Sequence, residues 1–481
     1  MIKRYDAVVV GAGPNGLAAG VVLAQAGRRV LIQEANSTIG GGARSAELTL
    51  PNFVHDVCSA IYPLALGSPF FQTLPLADHG LQFIQPPLAM AHPFDDDTAA
   101  VLTRSVDATA DSLGIDASAY RRLMNPLVTD WNKLAADVLG PLRVPRHPLV
   151  LAHFGLLGLL SAQAINTIFF RGSRAQAFFA GLALHGMLPL DRPVSAAFGL
   201  ILGILGHAIG WPIARGGAQK IADSLASYFQ YLGGDIVTNQ RVSTITEIPP
   251  THAVLLDLTP RQILQVAENV LPERYASQLR TYRYGPGVFK MDWALDGPIP
   301  WRATECTRAG TVHVGATFEE LARSEQQVWH GEVPERPFVL VAQQSLFDPS
   351  RAPDGKHTAW AYCHVPNGST FDLSDRITAQ IERFAPGFRD RILAQRATPP
   401  ALLERENANE VGGDINGGAQ DLGQLFTRPV WRLSPYATPR RGLYICSSST
   451  PPGGGVHGMC GFHAARIALQ REFAITLDGE P

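Results

Sequence analysis

Charge is scarce in this chain. Asp, Glu, Lys and Arg make up only 17% of its 481 residues, and the net charge is −2. No basic stripe interleaved with aromatics appears, so nucleic-acid binding has nothing to rest on. Cysteine is sparse as well. Cys58, Cys306, Cys363, Cys446 and Cys460 are scattered and odd in number, with no C-x-x-C pair and no His/Cys cluster at zinc-ligand spacing. They read as free thiols of a reducing, cytoplasmic compartment, and no metal is expected. A G-x-S-x-G elbow is also missing, so His55-Asp56 has no nucleophile to serve and a hydrolase triad fails. His55 is expected near a substrate-side wall or at the cap of a turn.

What is present is long and apolar. At this length, with 46% hydrophobic residues, two to four domain-sized units are expected. Lys3 and Arg4 precede an apolar run over residues 7–26 that superficially resembles a signal peptide. Tyr5-Asp6 interrupt the junction, the run holds patterned glycines, and Gln25 falls inside it. Strand, loop and helix, retained in the mature chain, are the expectation.

Residues 5–10 form a β-branched run suited to a buried parallel strand. Gly11-Ala12-Gly13-Pro14-Asn15-Gly16 follows, then an apolar helix over residues 17–26 with Gly27 as C-cap, and a second strand over residues 29–33. Gly11 permits the tight turn, Gly13 lets the backbone approach a pyrophosphate, and Gly16 lets helix pack on strand. The helix N-terminus offers free N–H groups and positive partial charge to phosphates. Glu34, 18 residues past Gly16, is placed to accept hydrogen bonds from ribose hydroxyls, with Ala35 beside it.

A second glycine loop, Gly40-Gly41-Gly42-Ala43-Arg44-Ser45, decides between NAD and FAD. It can wrap the far side of the pyrophosphate, with Arg44 supplying charge-assisted hydrogen bonds. The two loops together resemble the opening of the glutathione-reductase-type flavoproteins, in the amine-oxidase and phytoene-desaturase branch. That resemblance implies FAD.

Residues 453–458 repeat the G-x-G-x-x-G pattern, with Asp478 at the right distance, but no strand follows to present that acid. A second dinucleotide site is not expected. The segment from Gly442 to Arg466 reads instead as a strand over 442–446, a glycine-rich turn, and a helix over 462–473. It is similar to the closing motif of phytoene desaturases, in which the helix N-terminus faces the flavin ring. The likeness implies cofactor contacts from Ser448, Gly455, Val456, His457, Gly458 and Met459. Where many relatives carry an acid, this chain has Ser447-Ser448-Ser449, so ribityl contacts would fall to hydroxyls or backbone.

The same resemblance extends inward. Residues 215–225 look like the family's return to the FAD domain, and Val242 occupies the position that touches adenine. Residues 285–295 and Gly412-Gly413-Asp414-Ile415 resemble the subgroup that includes pyridine nucleotide–disulphide oxidoreductase domain protein 2. The implied fold is α/β: a Rossmann-like FAD-binding domain built from discontinuous segments (1–80, 215–280 and 406–481) and a substrate domain of helical cap (81–214) and mixed sheet (281–405).

Residues 147–170, 175–190 and 194–214 carry no formal charge. Three readings stand: transmembrane spans, a buried helical cap, or a cap that lines an apolar tunnel and rests on a membrane surface. Polar residues and glycines interrupt the runs, which disfavours spans. Two side chains are candidates for chemistry. Lys290 reads either as paired with Asp292 on a solvated strand face or as a cation near flavin or substrate. His457 reads either as an acid/base that polarises substrate or as a residue that positions backbone. Trp360 and Tyr362 alternate on a strand and suit a core or a substrate wall.

The expected activity is FAD-dependent oxidation of an apolar, isoprenoid- or carotenoid-like small molecule, with hydride passing to flavin N5. The electron acceptor stays open between oxygen, a quinone and a protein, and the oligomeric state is open too. The alternatives are an amine oxidase and a non-catalytic prenyl carrier like the Rab GDP-dissociation inhibitors, which share this fold.

Overall fold

The computed structural model describes residues 4–477; Lys3 and Asp478 lie outside them. Five short strands form a wholly parallel sheet in the order Leu443–Ile445, Ala253–Leu256, Ala7–Val10, Val30–Gln33, Asp235–Val237. Its strands come from three separated parts of the chain. Ala7, Val8, Val9 and Val10 are all buried, because helices cover both faces of a parallel sheet and leave no solvated side. Helix Pro14–Gln25 lies between helices Met459–Phe473 and Gln219–Tyr231. Gly461 makes the first contact possible: a Cβ there would collide with the Asn15 carbonyl.

The second sheet has seven strands, in the order Ile392–Thr398, Gly287–Leu295, His357–Val365, Val339–Ala342, Ala309–Val314, Leu88–Pro93, Ala99–Leu102. All its neighbours are antiparallel except Ala309–Val314 with Leu88–Pro93. Alternation sorts the side chains. Phe289, Met291, Trp293, Val341, Ala361 and Cys363 face one core, which helix Ser374–Phe384 closes with Ile377 and Ile381. Val288, Leu340, Trp360 and Tyr362 face the opposite way, toward Met187 and Ala60.

The uncharged stretches become a cap of two kinds. Ser173–Ala183 and Ser195–Ala208 are inner helices packed against each other, with most residues buried. Pro148–Gly158 and Ala162–Phe169 lie outside them, bent by 94°, and leave Leu149, Leu156 and Ile168 exposed at 85%, 75% and 63%. Among the described residues, no single helix is long and apolar enough to cross a membrane; only the bent pair meets the criterion, by length and composition.

Candidate active site

The site is built on the carboxyl ends of the parallel strands, where open α/β sheets place their ligands. Strand Ala7–Val10 ends in Gly11, at φ +102°, and the helix begins at Pro14. A Cβ on Gly16 would strike the Gly11 carbonyl, so this tight turn needs glycine there. Glu34, just past strand Val30–Gln33, accepts the Ala12 N–H on Oε2 (2.9 Å) and the Asn36 N–H on Oε1 (2.8 Å). Each oxygen keeps a second acceptor site for a ribose hydroxyl.

A cavity of about 570 Å³ runs from this loop into the space under the cap. Gly11, Gly13, Pro14, Asn15, Glu34 and Ala35 line it from the first segment, followed by Gly41, Gly42 and Ala43 of the second loop. Val242 lines it from the middle of the chain, and Ser448, Gly455 and Val456 from the closing turn. Ala12, Gly16, Arg44, His457, Gly458 and Met459 stand behind this lining.

Two of those have structural roles. The Arg44 guanidinium donates to the carbonyls of Gly41 (2.8 Å) and Glu406 (3.2 Å), so it pins the second loop to the segment after residue 400. His457 is buried, and its Nδ1 accepts the Met459 N–H at 3.0 Å at the start of helix Met459–Phe473. Burial lowers its pKa to about 4, so it stays neutral. This geometry gives His457 a backbone-positioning role, while its Nε2 is buried without a partner beside Gly455 of the lining.

Lys290 corrects the solvated-face reading. It is 2% exposed, ion-paired with the fully buried Asp292, and its Nζ lies 6.0 Å from the Trp360 ring centroid. Because the cap and residues 54–62 cover this face, a charged pair on alternate positions meets protein instead of water. Lys290 therefore sits behind the wall that Trp360 forms. His55 stands on the other side of the pair, with Nδ1 3.6 Å from Asp292 and Nε2 hydrogen-bonded to Thr49 at 2.8 Å. Burial depresses its pKa to about 3. Asp56 binds Arg351 through both oxygens at 3.1 Å, and Arg351 binds Asp348 at 3.1 Å. These fully buried charges tie the Val54–Asp56 strand to the sheet domain.

Two buried cavity acids escaped the sequence reading. Asp257, at the end of strand Ala253–Leu256, accepts the Gly16 N–H at 3.0 Å. Burial first, then the charge of Glu34, raises its pKa to about 7 against the loop's N–H groups, which lower it. Glu410, near Cys58 and Gly42, is likewise raised to about 7 by burial. The signal for Asp257 was its place at the carboxyl end of a parallel strand; nothing local marks Glu410.

At the far end the lining turns apolar. Ile61, Leu64, Met187, Leu202, Leu340 and Trp360 form a chamber continuous with the nucleotide cleft, with Tyr362, His185 and Trp211 at its edge. Trp360 and Tyr362 thus line one wall of the chamber, their rings edge-on at 5.2 Å.

These residues fit a flavin dinucleotide. Asn15 Oδ1 is buried without a partner beside the helix N-terminus, and the glycine turn leaves a cradle that side chains would fill. Glu34 would hold the ribose, the two glycine loops the pyrophosphate, and Gly455 and Val456 the ring end. A parallel sheet, a glycine turn and a helix N-terminus over one cleft define a dinucleotide-binding Rossmann-like protein. Consistent with this, the family model of the NAD(P)-binding Rossmann-like domain matches residues 9–72.

The particular kinship comes from whole-chain comparison. Pyridine nucleotide-disulfide oxidoreductase domain-containing protein 2 of Rattus norvegicus is 26% identical over 97% of this chain and 94% of its own. The phytoene dehydrogenase of Streptomyces griseus is 26% identical over 85% of this chain and 80% of its own. The crystal structure of a putrescine oxidase bound to putrescine superposes with a TM-score of 0.63 at 16% identity, covering 97% of this chain and 99% of that one. With the cleft described above, this makes the chain an FAD-type oxidoreductase with a phytoene dehydrogenase among its relatives and a fold shared with the putrescine oxidase.

Proposed function

We propose that this protein dehydrogenates an apolar, isoprenoid-like small molecule. The observation that carries the reading is the unbroken passage from the nucleotide cleft into a chamber walled by Ile61, Leu64, Met187, Leu202, Leu340 and Trp360. FAD, when bound, supplies the hydride acceptor. The chain's own task is to hold the substrate C–H against that acceptor and to exclude water. The phytoene dehydrogenase relative supports an isoprenoid. Amine oxidation is the second reading, supported by the paired rings of Trp360 and Tyr362 on the chamber wall.

The outer helix Pro148–Gly158 packs on Ser195–Ala208, which carries Leu202 into the chamber. Its exposed Leu149 and Leu156 support contact with a membrane surface, from which a lipid-like substrate would be drawn.

The test is optical. The purified protein is expected to be yellow, and anaerobic addition of isoprenoids, not of amines, is expected to bleach it. Bleaching by amines alone would establish the second reading. A colourless protein that cannot be reconstituted with FAD would establish the carrier.

A further inference from the structure

His185 follows helix Ser173–Ala183 in the turn Leu184–Gly186 and lines the chamber. Its Nε2 lies 3.1 Å from Nε2 of His313, with the ring planes 51° apart, and Trp211 stands edge-on to it at 6.3 Å. His313 is fully buried on strand Ala309–Val314. His92 is fully buried on the neighbouring strand, one position past the Val312–Ala91 pair. Nδ1 of His313 and Nδ1 of His92 both lack a hydrogen-bond partner. They face Gly181, where a Cβ would meet them at 2.9 and 3.3 Å. The Ala316 carbonyl lies 3.0 Å from Nε2 of His92, so that nitrogen carries the His92 proton.

Burial holds all three rings neutral: it lowers the pKa of His185 to about 3, that of His92 to about 4, and that of His313 well below its ordinary value. Among the described residues, no three His, Cys, Asp or Glu side chains have metal-holding geometry, so the imidazoles act as hydrogen-bonding groups.

Two neutral imidazoles meeting Nε2 to Nε2 share one proton. If His185 held it, His313 would carry its own proton on Nδ1, a buried N–H with no acceptor. If His313 holds it, the unmatched atom is only a lone pair, and buried orphan N–H groups are the rarer and costlier vacancy. His313 therefore donates to His185, and the His185 proton sits on Nδ1. With Nε2 held by the wall, Nδ1 is the ring nitrogen left for the chamber, and no partner meets it there among the described residues.

We infer that His185 donates this N–H to an oxygen atom of the substrate, so that the molecule taken is an oxygenated isoprenoid-like compound (an aldehyde, ketone or alcohol) and not a bare hydrocarbon. The inference rests on the apolar-substrate reading above and narrows it. His185 is the specificity-determining residue; His313 is a positioning residue that fixes its tautomer.

Calorimetric titration of the FAD-loaded protein with farnesal and farnesene, which share a skeleton, tests this. Farnesal is expected to bind about tenfold tighter, the worth of one added hydrogen bond. His185→Phe should bring farnesal down to the level of farnesene without changing flavin content. His185→Gln, whose amide still donates, should keep part of the preference. Nitrogen-15 NMR should place the His185 proton on Nδ1 in the parent and find mixed tautomers in His313→Leu. Equal binding of the two ligands by the parent, or an unchanged ratio in His185→Phe, overturns the inference and leaves the apolar-substrate reading standing. Binding of neither ligand overturns both.

Discussion

The nucleotide cleft and the apolar chamber share one cavity but are made from different material. The cleft is mostly backbone: turns at Gly11–Gly16 and Gly40–Gly42 and a helix N-terminus, with Glu34 and Asp257 already engaged with main-chain N–H groups. The chamber is mostly side chain, assembled from residues 61–64, the cap and one face of the seven-stranded sheet. Backbone geometry tolerates little variation because its atoms cannot be exchanged. Side-chain walls can be redrawn one residue at a time while the scaffold stays in place. One half therefore fixes which cofactor fits, and the other adjusts what the cofactor meets.

That division can be broken most forcefully at the turn. Gly16→Ala puts a methyl group against the Gly11 carbonyl, and the purified protein is expected to lose its flavin absorbance altogether. Arg351→Leu probes the tie between the two halves. It strands Asp56 and Asp348 as buried charges and should cost about 4 kcal/mol in denaturant unfolding.

Asp257 gives a smaller, pH-dependent effect. Its pKa is 3.8 ordinarily and about 7 in the fold, so between those values the native state holds a proton that the unfolded chain has released. Stability contributed at this site therefore falls as pH climbs from about 4 to about 7 and then levels off. Asp257→Asn should remove that fall, gaining about 4 kcal/mol over the parent at pH 8 and almost nothing at pH 4. The variant should also flatten the weakening of FAD affinity across the same range, since the ionised carboxylate beside the Gly16 N–H opposes a pyrophosphate.

The mildest change sharpens the contrast from the other side. Trp360→Phe should leave flavin content and melting temperature near the parent values, while kcat/KM for the preferred substrate shifts by about tenfold. A loss of flavin in that variant would show that the halves are not separable.

The same division explains what the sequence made legible. The opening strand, glycine turn, helix and Glu34 depend on contacts within some 30 residues, so spacing alone revealed them. The closing turn was readable from its glycines and its likeness to a known motif. The Lys290–Asp292 pair was read correctly but its face was not, because alternation reports which residues share a face, not whether a cap covers it. His457 kept two roles open in the sequence, since the choice depends on the Met459 N–H that its ring accepts. The contact between His185 and His313 spans 128 residues of chain and leaves no local mark. Arg44 carried the charge expected of a phosphate ligand, yet main-chain carbonyls of its own loop and of Glu406 hold it.

The parallel sheet joins strand Ala7–Val10, through Ala253–Leu256, to Leu443–Ile445, and helix Met459–Phe473 lies on helix Pro14–Gln25 at Gly461. During synthesis the first of these segments leaves the ribosome long before the last exists. The glycine turn must therefore wait through most of translation with its apolar helix uncovered. Flavin capture becomes a late event, coupled to the arrival of residues 443–473, and a chain stalled before that point would expose a sticky, cofactor-less half-domain to the cell's quality-control machinery.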